Sequence, residues 1–156
     1  MNYALETVRT KSIVFSRDMV EAILAGKKCQ TRRAVKPQPA RLGKYGEPLS
    51  LINGRWLPLM PADCFFGQVG DLLSIRCPAD IRNVDITEVF LRITHVSLQR
   101  LHDVDASEAE MELGFHLYSL GNEALYRFKK YWEKTYGSDS WHQNPWVWAI
   151  EFELVR

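Results

Sequence analysis

The spacing of hydrophobic residues first indicates a short helix near the beginning of the chain. Four apolar residues recur at intervals that place them on one helix face: Met19, Val20, Ile23 and Leu24. Ser16 precedes them as a capping residue, and Gly26 follows where a left-handed residue commonly ends a helix. The pattern therefore predicts a helix that begins after Ser16 and ends before Gly26.

Three later segments have the hydrophobic pattern of β-strands. A short strand is predicted over residues 72–77, and a longer one over residues 87–98, where Val89, Leu91 and Ile93 alternate with polar neighbours. The clearest strand is at the end of the chain, where apolar residues recur at period two: Trp146, Trp148, Ile150, Phe152 and Leu154. These segments predict strands with one buried face.

Two more helices are predicted between the long strand and the last one. Asp105 and Glu108 have the spacing of a capping box, and Gly114 ends that helix. Asn122 is the predicted cap of the third helix, which Gly137 ends. Its apolar face consists of Leu125, Phe128, Trp132 and Tyr136. The basic residues Arg127, Lys130 and Lys134 are expected to point elsewhere.

Residues 34–70 contain five prolines and five glycines, a density that excludes a long helix and predicts an irregular loop insertion. Short strands with a few short helices predict an α+β fold with a mixed, strongly curved sheet or a small barrel. The length of 156 residues fits a single domain, residues 1–156.

The charge balance excludes a global attraction to polyanions. Twenty Lys and Arg residues against nineteen Asp and Glu residues give a net charge of +1. The longest apolar stretches are too short to span a bilayer, so no membrane partner is expected. The first residues, MNYALE, lack the pattern of a secretory signal, and a cytoplasmic location is expected.

Cysteine and histidine patterns give no sign of a metal site. Cys29, Cys64 and Cys77 are widely spaced and form no paired motif, which favours reduced thiols. The four histidines, His95, His102, His116 and His142, lack helical pair spacing. Neither a metal nor another cofactor is therefore expected.

Charge is nevertheless strongly segregated along the chain. Residues 27–44 carry seven Lys and Arg residues and no Asp or Glu, whereas residues 101–126 carry six acids and no Lys or Arg. The basic segment is a candidate anion site, although such a run also serves to cap a helix and solvate a loop. At most one of the acids is expected to be catalytic.

The basic segment also contains a family signature. Residues 26–33, GKKCQTRR, resemble the G-x-K-x-x-T-x-R signature of the ASCH domain family, which has the β-barrel fold of the PUA RNA-binding domains. Residues 15–37, together with 137–148, more closely resemble ASCH-like proteins of phages and prophages. The resemblance covers most of the chain except residues 40–62. It implies a PUA-like mixed β-barrel surrounded by short helices.

One more distant branch of this family implies an activity. It comprises the bacterial acetylcytidine amidohydrolases, in which the signature Lys and Thr are catalytic together with a Glu in a helix after the long strand. These positions match Lys28, Thr31 and Glu112, although Leu113 stands before Gly114 where the phage-type proteins have Gly directly after the Glu. The register of Glu112 can therefore slip by one residue.

The chemistry of these residue types agrees with amide hydrolysis. A desolvated Lys28 with a lowered pKa can act as the base that activates the Thr31 hydroxyl as a nucleophile. Arg33 or backbone amides would stabilise the oxyanion, and Glu112 would hold the base or relay a proton. The resemblance thus implies hydrolysis of an N-acylated cytidine.

The alternative is a non-catalytic module that binds RNA or a nucleotide. Lys28, Arg32 and Arg33 would then contact phosphates, and Trp56 or Trp141 would stack on a base. Both hypotheses name a nucleoside or RNA as the partner and place Arg32, Arg33, Trp56 and Trp141 at the binding surface. Core packing is the competing interpretation for the tryptophans.

Overall fold

The computed structural model describes residues 9–78, 89–114 and 122–156, with the side chain of Asn122 excepted. The predictions for the N-terminal segment, His116, the Asn122 cap and the first residues of the long strand lie outside this part. The described elements follow in chain order: β1 (Thr10–Val14), α1 (Arg17–Leu24), β2 (Gln30–Ala34), β3 (Arg41–Leu42), β4 (Pro48–Ile52), β5 (Arg55–Pro58), β6 (Leu72–Arg76), β7 (Phe90–Arg100), α2 (Ala106–Leu113), α3 (Asn122–Tyr136) and β8 (Trp146–Val155).

The main sheet has five strands in the order β1-β6-β7-β8-β2. β1 pairs with β6 in parallel, and the other neighbours are antiparallel. This mixed sheet with three helices confirms the predicted α+β class. The sheet is open, because within the described residues β1 and β2 form its two ends and do not pair with each other. A closed barrel is therefore not formed.

The short helices have the predicted ends. The Ser16 hydroxyl accepts a hydrogen bond from the Met19 amide at 3.4 Å, and Gly26 follows α1 with φ +73°. At α2 the Asp105 carboxylate accepts from the Glu108 amide at 2.8 Å, and Gly114 ends the helix with the same positive φ. These local signals fix where both helices begin and end.

The core lies between the sheet and the helices. Ile150 and Phe152 of β8 are buried with the α1 residues Met19, Val20 and Ile23. β8 departs from the expected one-sided pattern, because Val147 and Ala149 are buried as well as their neighbours. β8 lies between β7 and β2 in the sheet, and Val147 belongs to the core cluster together with Trp148 and Ile150.

Residues 41–58 form a second, three-stranded sheet, β3-β4-β5, which we call the arm. An irregular insertion was expected here, but Asn53 and Gly54 make a two-residue turn, with φ of 51° and 77°, between the paired residues Ile52 and Arg55. Two consecutive positive φ values are typical of the tight turns that join antiparallel strands. Glycine and proline density thus marks turns between short strands.

Candidate functional site

A cavity of about 1050 Å³ lies where the main sheet is open. Its walls come from the end of β1, from α1, from β2 and from the two later helices. Thr31 and Arg33 are far from Glu112 along the chain, yet all three of these predicted residues line this one cavity. Lys28 is not among the residues that line the cavity, but its Nζ lies 4.0 Å from Glu112 Oε1. The fold therefore brings the predicted catalytic residues together.

β2 sends its side chains alternately to two faces. Thr31 pairs with Ile150 and Arg33 with Trp148, whereas Arg32 pairs with Ala149. Directly opposed residues of antiparallel strands share a face, so Thr31 and Arg33 point to one side and Arg32 to the other. Adjacent arginines of the signature consequently have different surroundings.

Arg32 belongs to a buried polar network. Its side chain is fully buried, Nη1 donates to Gln30 Oε1 at 2.7 Å, and Nη2 donates to Glu108 Oε2. The same guanidinium lies 3.6 Å from Glu112 Oε2. A guanidinium held by two carboxylates in the interior fixes α2 against β2, although Arg32 is also among the residues that line the cavity.

Thr31 and Arg33 are directed to the cavity. Arg33 Nε donates to Thr31 Oγ1 at 3.2 Å, and Arg33 Nη2 donates to the Val14 carbonyl at 2.7 Å. The guanidinium carbon also lies 4.9 Å from the centre of the Phe15 ring. Arg33 thus spans the gap between β1 and β2 and places a positive charge against the Thr31 hydroxyl.

Glu112 reaches the cavity from α2. β2 is an edge strand, and Glu112 Oε1 accepts a hydrogen bond at 2.7 Å from its Arg32 backbone amide. Glu112 Oε2 is buried, and no described residue forms a hydrogen bond to it. A buried carboxylate oxygen without a donor is costly, so this atom is suited to a donor from a ligand or water.

Lys28 is almost completely buried, with 4% of its surface exposed. Its Nζ donates to the Gln30 carbonyl at 2.8 Å and to the Glu112 carbonyl, and lies 4.0 Å from Glu112 Oε1. Burial lowers the pKa of Lys28, and the nearby Glu112 carboxylate opposes that effect. Within the described residues Lys28 forms no hydrogen bond with Thr31.

Sequence reasoning missed the wall that α3 contributes. Arg127, Tyr131 and Lys134 line the cavity, and their spacing of four and three residues gives one helical stripe that sequence inspection could have found. Burial raises the pKa of Tyr131, and the Glu112 carboxylate raises it further. With Lys27 from the loop after α1, the wall adds cations to a rim that also carries Asp18 and Glu21, and Arg127 is paired with Glu123 at 2.9 Å.

The two tryptophans predicted to bind substrate lie away from this cavity. Trp56 is on the arm and 39% exposed. Trp141 packs against the core, with its ring centre 6.1 Å from that of Phe128 and 4.7 Å from that of His102. Neither of them lines the cavity of Thr31 and Glu112.

The three cysteines are free thiols. Over residues 9–78, 89–114 and 122–156, His, Cys, Asp and Glu side chains form no cluster of three that could hold a metal. In the same ranges, every helix is too short or too polar to cross a membrane.

Comparison with known proteins gives similarity in structure alone. No known protein family and no curated protein sequence matches the chain. The ASCH domain from Lactobacillus crispatus superimposes with a TM-score of 0.54 and 16% identity, over 94% of this chain and 79% of that one. The hypothetical protein PH0355 gives a TM-score of 0.51 and 14% identity, over 94% and 99%. At these identities the likeness shows the fold.

Proposed function

We propose that this chain, which has the fold of an ASCH domain, hydrolyses the amide of an N-acylated cytidine. The observation that carries the proposal is that Thr31 and Glu112 line the same cavity, and that Glu112 has a buried carboxylate oxygen to which no described residue donates a hydrogen bond. A carboxylate oxygen that lacks a donor is matched by the N–H of an exocyclic amide, as carboxylates match the exocyclic amine of cytosine. The same cavity holds a hydroxyl that can attack the acyl carbonyl.

In the proposed reaction Thr31 is the nucleophile. Its Oγ1 forms a bond to the acyl carbon, the C–N bond breaks, and the proton from Oγ1 is returned to the leaving nitrogen. Water then hydrolyses the threonyl ester, which releases the carboxylic acid and restores the hydroxyl. The Arg33 guanidinium, which donates to Oγ1, stabilises negative charge on that oxygen during attack.

Lys28 and Glu112 together form the proposed base. Burial lowers the pKa of Lys28, which makes its neutral amine accessible. Because Lys28 Nζ lies 4.0 Å from Glu112 Oε1 and donates to carbonyl oxygens, we assign the carboxylate as the relay between Lys28 and Thr31. Glu112 would accept the proton from Thr31 and pass it to the neutral Lys28 amine, which becomes an ammonium ion beside the restored carboxylate.

The second candidate function is binding of RNA or a nucleotide without hydrolysis. It is favoured by two lysines on the rim of the cavity, Lys27 and Lys134, which could meet phosphate oxygens. The two carbonyl acceptors of Lys28 also favour its ammonium form. In this function Thr31 would be dispensable.

The test is incubation of the pure protein with acetylcytidine, followed by chromatography for cytidine. We expect turnover by the natural sequence and its loss in Thr31→Ala and in Lys28→Ala. The double variant should lose little more than either single one, because residues that act as a unit are not additive. Thr31→Ser, which keeps the hydroxyl, is the matched control and should retain part of the activity.

The absence of cytidine with the natural sequence would contradict hydrolysis. If nucleotide binding persists in that case and Lys28→Ala weakens it, the cavity binds its ligand without cleaving it. Full activity in Thr31→Ala would instead show hydrolysis in which Thr31 is not the nucleophile.

A further inference from the structure

A second, smaller cavity lies at the base of the arm. It has a volume of about 330 Å³ and is bounded by residues 38–42 on one side and by Arg100, Gln143 and Trp146 on the other. Its lining contains the guanidinium groups of Arg41 and Arg100 and no carboxylate. It shares no residue with the cavity of Thr31 and Glu112.

Each of these two arginines lies over a tryptophan. Arg41 Cζ is 5.3 Å from the centre of the Trp56 ring, and Arg100 Cζ is 4.4 Å from that of Trp146. Arg100 Nη1 also donates to the Asn144 carbonyl at 3.1 Å. Among the described residues neither guanidinium has a carboxylate partner. A guanidinium that lies over an indole has no anionic partner there, and its N–H donors can bind the oxygens of a phosphate.

The arm and its preceding loop carry a net positive charge. Residues 36–58 contain four cations, Lys36, Arg41, Lys44 and Arg55, and one carboxylate, Glu47. That segment carries +3 in a chain whose net charge is +1, so the rest of the chain carries −2. The positive charge is therefore local, and Arg41 of this segment lines the small cavity together with Arg100.

The arm also exposes apolar and aromatic surface. Trp56 is 39% exposed and its cross-strand neighbour Leu51 is 58% exposed. A single-stranded nucleic acid is recognised by this combination, because cations track its phosphates while aromatic rings stack on its unpaired bases. An acidic peptide would use the arginines but gain no base stacking on Trp56.

We propose that the arm and the small cavity bind a single strand of RNA, with phosphates at Arg41 and Arg100 and a base on Trp56. This inference rests on the proposed function for its ligand class, and it implies that the cytidine is presented within a strand. The arm then supplies affinity, while the cavity of Thr31 and Glu112 acts on one nucleotide.

The experiment measures binding of a fluorescein-labelled pyrimidine RNA of about ten nucleotides by anisotropy at several salt concentrations. Arg41→Gln and Arg100→Gln should each weaken binding and reduce the salt slope by about 0.7, the value for one phosphate contact on a single strand. Trp56→Leu should weaken binding about 5-fold to 100-fold with an unchanged slope. Arg41 and Trp56 are solvent-accessible, so their variants should fold.

Arg92→Gln is the matched control, since Arg92 is a half-exposed strand arginine outside both cavities. It should bind RNA like the natural sequence. An unchanged salt slope in both Arg41→Gln and Arg100→Gln would overturn the inference. So would equal competition by polyglutamate, because that would assign the site to acidic peptides.

Failure of this inference is distinguishable from failure of the proposed function. Turnover of free acetylcytidine is measured in parallel with the natural sequence. Absence of turnover contradicts hydrolysis. The salt slopes of RNA binding by the arginine variants then test the binding site independently. Turnover of acetylcytidine together with unchanged salt slopes in the arginine variants supports hydrolysis and contradicts the proposed RNA-binding site.

Discussion

The two faces of β2 carry adjacent residues of one signature into opposite environments. On one face Arg32 is fully buried and shares its charge with Glu108 and Glu112. On the other face Thr31 and Arg33 border a cavity, and the donors of Arg33 reach a hydroxyl and a carbonyl. On the first face the charge of Arg32 is paired with carboxylates, whereas on the second face Thr31 and Arg33 are groups that a ligand can engage.

This difference shows how one short motif can supply both a residue that stabilises the fold and residues that line a candidate binding site. Glu112 joins the two faces, because Oε1 binds the Arg32 amide on the strand edge while Oε2 is left without a donor. A buried ion network gives little net stability, but it fixes the position of each charged group when every partner is present. Arg32 would thus act as a positioning residue for Glu112.

The largest expected effect on stability is at Arg32. Arg32→Met removes the cation between two buried or partly buried carboxylates, and breaking a buried pair on one side costs about 3 to 5 kcal/mol. Arg33→Met on the other face should cost about 1 kcal/mol, the net value of a hydrogen bond. Urea denaturation monitored by circular dichroism compares them. Equal losses of stability would contradict the comparison.

A second prediction concerns the residue that sets α2 against α1. Gly114 has φ +73°, and a Cβ there would lie 2.6 Å from the Ala22 Cβ. Gly114→Ala should destabilise the protein by about 3 kcal/mol, through left-handed strain and overpacking. Gly26 has the same φ with no atom within 4 Å, so Gly26→Ala should cost only about 1 to 2 kcal/mol. Thermal unfolding of both variants measures the difference, and equal values would exclude the close approach.

The third prediction is a pH dependence from Lys28. Its pKa is lowered below 10.5, so between the lowered value and 10.5 the unfolded chain binds more protons than the native one. The contribution of Lys28 to stability therefore rises with pH through that interval. In Lys28→Met this rise should disappear, whereas Lys130→Met, at an exposed position, should keep it.

The measurement is the free energy of unfolding between about pH 7 and pH 10, taken as natural sequence minus variant. The subtraction matters because Cys29 and Cys64 have pKa values raised above 9.0 by burial, which lowers stability with increasing pH in all three proteins. A difference that stays flat or falls with pH would show that Lys28 remains protonated throughout.

The smallest effect is expected at an exposed arginine. Arg92 pairs with Glu153 at 2.8 Å across two strands, but both side chains are about half exposed, at 47% and 54%. Solvent screening makes such a pair worth little, so Arg92→Gln should change the unfolding free energy by less than about 0.5 kcal/mol. A loss of stability close to that of Arg32→Met would contradict the expectation that burial determines how much each arginine contributes to the unfolding free energy.

The sequence predicted those features that depend on neighbouring residues. Helix ends at Ser16, Gly26 and Gly114 follow from local capping, and they are confirmed. The arm was missed although Asn53 and Gly54 form a strong hairpin signal, because the surrounding glycines and prolines were interpreted as irregular.

The candidate site was predictable only in part for a different reason. The signature named Lys28, Thr31 and Glu112, which the fold brings together. It could not separate Arg32 from Arg33, because that distinction depends on which face α2 covers, a contact between residues 76 positions apart. It also could not foresee that Lys28 donates to backbone carbonyls. Such partners are set by tertiary packing.

The open sheet has a consequence for how a ligand enters. β1 and β2 are joined at the cavity by the Arg33 side chain, which donates to the Val14 carbonyl, and not by a ladder of backbone bonds. Release of that contact costs about 1 kcal/mol, whereas separating two paired strands breaks several bonds at once. We therefore expect local opening at this seam to require less free energy than separation of the paired strands, whose backbone amides should be the better protected from hydrogen exchange.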